Sequence, residues 1–244
     1  MKLGMSLTYA NSEWNGVTAV PTGSESFVIV PTESNSDILI STLSLRYGLI
    51  DKAEVYGRGS YLHKNARNSL DRISSVTDSR FIDAWMGVNY QFKEDDNIPA
   101  LLGFAEAALW EKHRKSSSSL QSWMIGITTY KAIDPIVFSF TTGYRFNQQR
   151  KDGSQDYKPG NFLLLNPSVA FAVNDRVTLT TGLQWMVRQR TVIDNKKGFR
   201  RTNTDLQLGV SYGFSAVDIF NVTFNANASG RNGSVLRFNW LHTF

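Results

Sequence analysis

Three histidines (His63, His113 and His242) and no cysteine make up the soft metal ligands and imidazole bases of this 244-residue chain. The missing thiol excludes a disulfide scaffold, a thiolate metal site and a cysteine nucleophile. A serine hydrolase needs a histidine within reach of a nucleophilic hydroxyl, with a carboxylate to orient it. His63 and His113 fall at loop bases and His242 on an apolar face, none with a convincing orienting carboxylate. No catalytic residue, metal or cofactor is therefore expected.

What remains able to do chemistry is a spaced set of charges. Arg46, Glu54, Arg58, Asp83 and Glu106 stand among Gly, Ser, Thr and Asn on the polar side of alternating segments. Arg145, Arg188, Asp205 and Arg237 do the same further along. Isolated charges on a polar wall can select passing solutes by sign, as rings of charged side chains do in pores. Hairpin connections put Arg58, Asp83 and Glu106 at similar height on three consecutive segments. They read either as a salt-bridge ladder that stiffens a wall or as a charged eyelet. Arg145, Arg188, Asp205 and Arg237 fall toward an outer mouth, where a wet rim would also solvate them.

The elements that must position these charges alternate with period two, the signature of half-buried strands. In 203–214, Thr204, Leu206, Leu208, Val210, Tyr212 and Phe214 alternate with Asp205, Gln207, Gly209, Ser211 and Gly213. Segments of this kind lie at 2–11, 37–47, 53–62, 79–92, 100–110, 120–131, 136–147, 161–173, 176–188, 203–214, 217–228 and 235–244. Short connections (48–52, 93–99, 132–135, 174–175, 215–216) alternate with long ones (12–36, 63–78, 111–119, 148–160, 189–202, 229–234). Sorting of loops by parity is what short periplasmic turns and longer extracellular loops produce in an up-and-down barrel.

Composition separates this from a soluble sandwich. Hydrophobic residues make up 41% and charged residues 19%, with a net charge of +5. The polar faces are too weakly charged for a water-facing surface, and no dense Lys/Arg helix points to nucleic acid. Aromatic residues cluster at strand ends (Tyr9, Tyr47, Tyr61, Tyr90, Tyr130, Tyr212), as an interfacial girdle requires. Lipid tolerates only closed sheets, and an even strand number closes with both ends on one side. No stretch approaches 18 apolar residues, so a transmembrane helix is excluded. Met1–Ser6 lacks the apolar core of a signal peptide. The fold class expected is all-β: one 12-stranded antiparallel up-and-down transmembrane β-barrel over residues 1–244, in a Gram-negative outer membrane with periplasmic termini.

The first long connection carries Glu13, Glu25 and Glu33, no basic residue and the apolar run Phe27–Val30. It reads as an acidic lid over a basic rim. The other long connections are basic, suited to an anionic lipopolysaccharide leaflet. In the last segment Leu236, Phe238, Trp240, His242 and Phe244 share a face, and the final Phe244 resembles the assembly signal of Gram-negative outer-membrane proteins.

The segment Leu45-Arg46-Tyr47-Gly48-Leu49-Ile50-Asp51-Lys52-Ala53-Glu54-Val55 resembles the hairpin of the meta-pathway phenol-degradation group of outer-membrane transporters. Val173–Val177 and the Gly-Val-Ser-Tyr-Gly run at 209–213 are similar in style. The Fap functional-amyloid secretion channels of pseudomonads, twelve-stranded barrels of this size, resemble the same group. That resemblance implies export of amyloid subunits to the cell surface, as in biofilm formation, with a homotrimer as a candidate assembly. The chain departs from those channels in having no upstream coiled coil or helical plug. Two functions thus stand. A small-residue lumen, with inward Gly126, Gly143, Gly182 and Gly209, suits a channel that secretes an unfolded polypeptide. An arginine ladder of Arg58, Arg145, Arg188 and Arg237 suits porin-like uptake of small aromatic or anionic solutes.

Overall fold

Strand-forming alternation dictates the whole architecture. The computed structural model describes residues 1–21, 27–69, 73–112, 116–229 and 233–244, and their side chains except those of 14–33, 68–74 and 152. Twelve long strands form a closed antiparallel barrel: β1 (Lys2–Pro21), β2 (Phe27–Ile50), β3 (Ala53–Ser69), β4 (Ile73–Lys93), β5 (Ala100–Lys112) and β6 (Ser122–Ile133), followed by β7 (Ile136–Asn147), β8 (Phe162–Ala172), β9 (Val177–Arg188), β10 (Arg201–Gly213), β11 (Asp218–Ser229) and β12 (Ser234–Thr243). Each strand pairs with its sequence neighbours, and β1 closes on β12 from Lys2↔Thr243 to Asn11↔Ser234. Closure leaves no open edge.

The period-two pattern sets which side each residue takes. Leu43, Met86, Ile125 and Leu208 point outward and are 55%, 54%, 47% and 49% exposed. An apolar surface of that extent on every strand requires an apolar solvent. Outward rings pair near the ends: Phe81 with Trp110 at 5.3 Å, and Trp123 with Phe146 at 4.2 Å. At the short-turn end Tyr90 meets Phe92 at 4.9 Å. Tyr130, expected in this girdle, sits instead in the inward register, opposite Ser139 and two residues from Thr128.

The short turns (Asp51–Lys52 among them) share one end of the barrel with Met1 and Phe244, whose amide donates to the Met1 carbonyl at 3.0 Å. The long connections lie at the other end. Two of them are not loops in the expected sense. Residues 12–21 and 27–36 continue β1 and β2 in unbroken register to Pro21↔Phe27. Residues 63–69 and 73–78 extend β3 and β4 likewise. These hairpins project beyond the wall of their neighbours. Two further connections are cross-linked: residues 150–152 pair with 155–157, and Tyr157↔Ile193 joins that hairpin to 192–193 and 196–197.

Candidate functional site: the lumenal wall

Register, more than sequence proximity, assembles the site. One row of directly paired residues runs Arg46↔Tyr56↔Gly87↔Glu106↔Met124↔Arg145↔Phe162↔Arg188↔Arg201. Because barrel strands are tilted, a row of paired residues climbs as it winds. This one begins at the short-turn end and finishes at the long-connection end.

Its lower half is closed by ion pairs. Arg46 Nη1 lies 3.3 Å from Glu54 Oε1, and Asn89 Nδ2 donates to the same oxygen at 2.6 Å. Arg58 grips Glu106 with two nitrogens, at 3.1 and 3.4 Å, and the Tyr56 hydroxyl donates to Glu106 Oε2 at 3.1 Å. Bidentate geometry and a third donor leave Glu106 fully committed.

The middle is an aromatic platform. Trp85 projects inward and is 2% exposed. Arg58 Cζ is 5.1 Å and Arg145 Cζ 4.6 Å from its ring, within cation–π range. Backbone irregularities at Ser60/Tyr61 and Ala84/Trp85 flank it on both sides. Bulges re-aim side chains next to functional sites.

The upper half gathers cations. Arg145 pairs with Glu111 Oε1 and donates from Nε to Asn147 Oδ1 at 3.1 Å. Arg150 comes from the connection after β7, yet its side chain is 2% exposed. It reaches Glu111 Oε2 at 3.1 Å and Ser122 Oγ at 2.9 Å. Phe162 carries Arg145 at 5.8 Å and Arg188 at 5.7 Å. Asp83, Glu111, Lys112, Arg145, Arg150 and Arg188 share the lining of a cavity of about 540 Å³.

Several expectations change. Asp83 is not level with Arg58 and Glu106: it faces Ser60 and Glu111, while Arg58 faces Trp85 and Glu106 faces Gly87. The two bulges shift the register there. The glycines do not hold a path open. A Cβ at Gly126 would sit 2.3 Å from the Phe104 ring, one at Gly143 2.5 Å from Met124, and one at Gly87 2.4 Å from Tyr56. These glycines are seats for larger inward side chains. At Gly182 a Cβ would meet Pro167 O at 2.7 Å, whereas Gly209 has only ordinary contacts.

The outer charges are more than a solvated rim. Asp205 is 8% exposed and accepts from Asn227 Nδ2 at 2.6 Å. Arg237 stands opposite Thr8 and Thr223. Of the acidic lid residues, Glu13 accepts from Asn35 on the neighbouring strand at 3.2 Å, inside the β1–β2 ribbon. Glu25 and the side chain of Glu33 lie outside the described residues, as does His113.

His242 does have a carboxylate: its Nδ1 is 2.8 Å from Asp218 Oδ1, to which Trp240 Nε1 also donates at 3.0 Å. Ser215 Oγ donates to the other oxygen of that carboxylate rather than to the imidazole, so among the described residues no relay to a hydroxyl forms. The terminal rings pack along the outer wall, Trp240 stacked on Phe220 at 6.5 Å and Phe244 edge-on to His242 at 4.7 Å. Among the described residues no His/Asp/Glu cluster could hold a metal ion.

Neither a family model nor a curated protein matches the sequence. The fold does match solved barrels. The COG4313 outer-membrane channel from Pseudomonas putida F1 superposes with a TM-score of 0.72 at 15% identity, over 100% of this chain and 95% of that one. The transport unit of the autotransporter AIDA-I from Escherichia coli gives 0.55 at 10% identity, over 99% and 90%. The NanC porin gives 0.54 at 11% identity, over 97% and 100%. Channels, porins and an autotransporter unit share this fold, so fold alone does not choose a cargo. The lumen must.

Proposed function

We propose that the chain is an outer-membrane channel for passive passage of small anionic solutes. Its outward surface is apolar on every strand and its sheet is closed, the two conditions lipid imposes on a barrel. Short turns and both termini then face the periplasm, and the projecting hairpins face outward, where basic residues meet the lipopolysaccharide leaflet. The observation that carries the reading is the inward row in which Arg46, Arg145, Arg188 and Arg201 climb from one mouth to the other. Fixed guanidinium groups raise the local concentration of anions in a low-dielectric passage.

The same lumen speaks against export of an unfolded amyloid-type polypeptide. That reading needs a smooth wall of small residues. Here Tyr56, Phe104 and Met124 fill the space the glycines leave, and Trp85 adds a bulky ring to the same wall. The aromatic part of the small-solute reading is also narrowed, because guanidinium groups already lie over Trp85 and Phe162.

Proteoliposomes loaded with potassium gluconate or with choline chloride, and carrying the purified barrel, separate these readings. Gluconate escaping faster than choline supports an anion channel. Choline escaping as fast as gluconate contradicts it. Release of an entrapped unfolded polypeptide of about 10 kDa would restore the secretion reading.

A further inference from the structure

The cavity beneath the paired outer connections has a built interior. Arg150, nine-tenths buried and more, ties its connection to the wall through Glu111 and Ser122. Asn147 Nδ2 donates to the Gly160 carbonyl at 3.1 Å, and Thr191 Oγ1 accepts from the Gly160 amide at 3.3 Å. The roof is therefore fixed to the barrel by hydrogen bonds. Its volume, about 540 Å³, is that of a small-molecule site.

The charges inside do not cancel. Lys112, Arg145, Arg150 and Arg188 face Asp83 and Glu111. Arg145 and Arg150 both engage Glu111, whereas Arg188, Lys112 and Asp83 form no ion pair among the described residues. Asp83 Oδ1 and Trp85 Nε1 are shielded from solvent and make no hydrogen bond among the described residues. A shielded carboxylate oxygen is costly until a donor reaches it.

We infer that this cavity is a binding site for a compact polyhydroxy carboxylate, of the size and chemistry of a hexuronic acid. Arg188 and Lys112 take the carboxylate, Arg188 with the planar fork suited to it. Asp83 accepts from a ligand hydroxyl, which a simple inorganic anion lacks. An aromatic acid gains less: the Phe162 ring already carries two guanidinium groups, and a second ring would have to displace one. The site shares Arg145 with the Trp85 platform, so a bound solute waits beside that charged part of the wall. This inference rests on the anion-channel reading and deepens it.

Isothermal titration of detergent-solubilised barrel with galacturonate, galactose and benzoate tests it without requiring conduction. Galacturonate should bind at least tenfold more tightly than either comparator. Arg188→Gln should weaken galacturonate at least tenfold, and Asp83→Asn severalfold while leaving the weak benzoate binding unchanged. Heat-modifiable gel migration confirms that each variant is folded, and Lys112→Gln serves if Arg188→Gln is not. Equal binding of benzoate, no galacturonate heat, or indifference to both substitutions overturns the inference. An anion-selective pore that ignores galacturonate would overturn the site and leave the channel. A cation-selective pore would overturn the channel reading whatever binds.

Discussion

Arg145 Cζ lies 4.6 Å from the centre of the Trp85 ring, although the two residues sit on strands separated by two others. The contact spans the lumen side of β5 and β6 and turns one wall of the barrel into a crowded, cationic surface. Arg58 reaches the same ring at 5.1 Å, held by Glu106, and Arg145 is held by Glu111. Two carboxylates thus position two guanidiniums around one indole.

Trp85→Ala removes that platform. Single-channel conductance should rise about twofold or more, and anion preference should fall, because a bulky lumenal ring is removed and Arg58 and Arg145 lose the surface that positions them. Trp85→Phe should keep most of both properties. Recordings in planar bilayers check it; a Trp85→Ala channel identical to wild type would remove the platform from the conduction path.

Glu106→Gln and Arg58→Gln should move ion selectivity in opposite directions, because each deletes one fixed charge of opposite sign at the same level. Losing Glu106 favours anions and losing Arg58 disfavours them. Reversal potentials of the two variants, measured under one salt gradient, provide the check.

Leu208→Arg puts a charge on the outer face between Thr181 and Phe224 and should cost about 2–4 kcal/mol near the bilayer midplane. Gln207→Arg, one residue along and inward, exchanges a hydrogen bond with Asn166 for a lumenal charge and should fold well. Urea titrations of folding into lipid vesicles compare them, and equal costs would reverse the assignment of faces.

The turn between β4 and β5 carries a pH dependence outside the membrane. The Asp95 carboxyl is held below its usual range, first by the Ala132 amide and then by Lys131. Asp96 is held down by the Ile98 amide and then by Lys93. Folding therefore favours the ionised forms. Their contribution is complete above the unfolded value of about 3.9 and disappears as pH falls through the lower folded value. Asp95→Asn should lower stability at pH 6 and match wild type at pH 2, read from thermal melts across that span.

Alternation was enough to place all twelve strands, because lipid outside and water inside impose opposite polarities on successive residues. It failed at 12–36 and 63–78, where the hairpins leave the membrane and no apolar solvent enforces the pattern. It misplaced Asp83 because two bulges near Trp85 change the register, and a bulge leaves no trace in polarity. Glu111 lies one residue past the expected end of its strand, and Arg150 sits in a connection; their meeting depends on a three-dimensional return no spacing reveals. Trp85 was legible in part: a large aromatic on the face otherwise holding Asp83, Gly87 and Asn89 is out of place unless something needs it there.

The central claim is that the arginine row makes the lumen anion-selective. The reversal potential of the wild-type barrel in a planar bilayer, under a tenfold potassium chloride gradient, reads this directly. The account predicts a potential set by chloride, shifted toward zero when Arg145 and Arg188 are both replaced by glutamine. A potential set by potassium, or one unmoved by that double substitution, would contradict it.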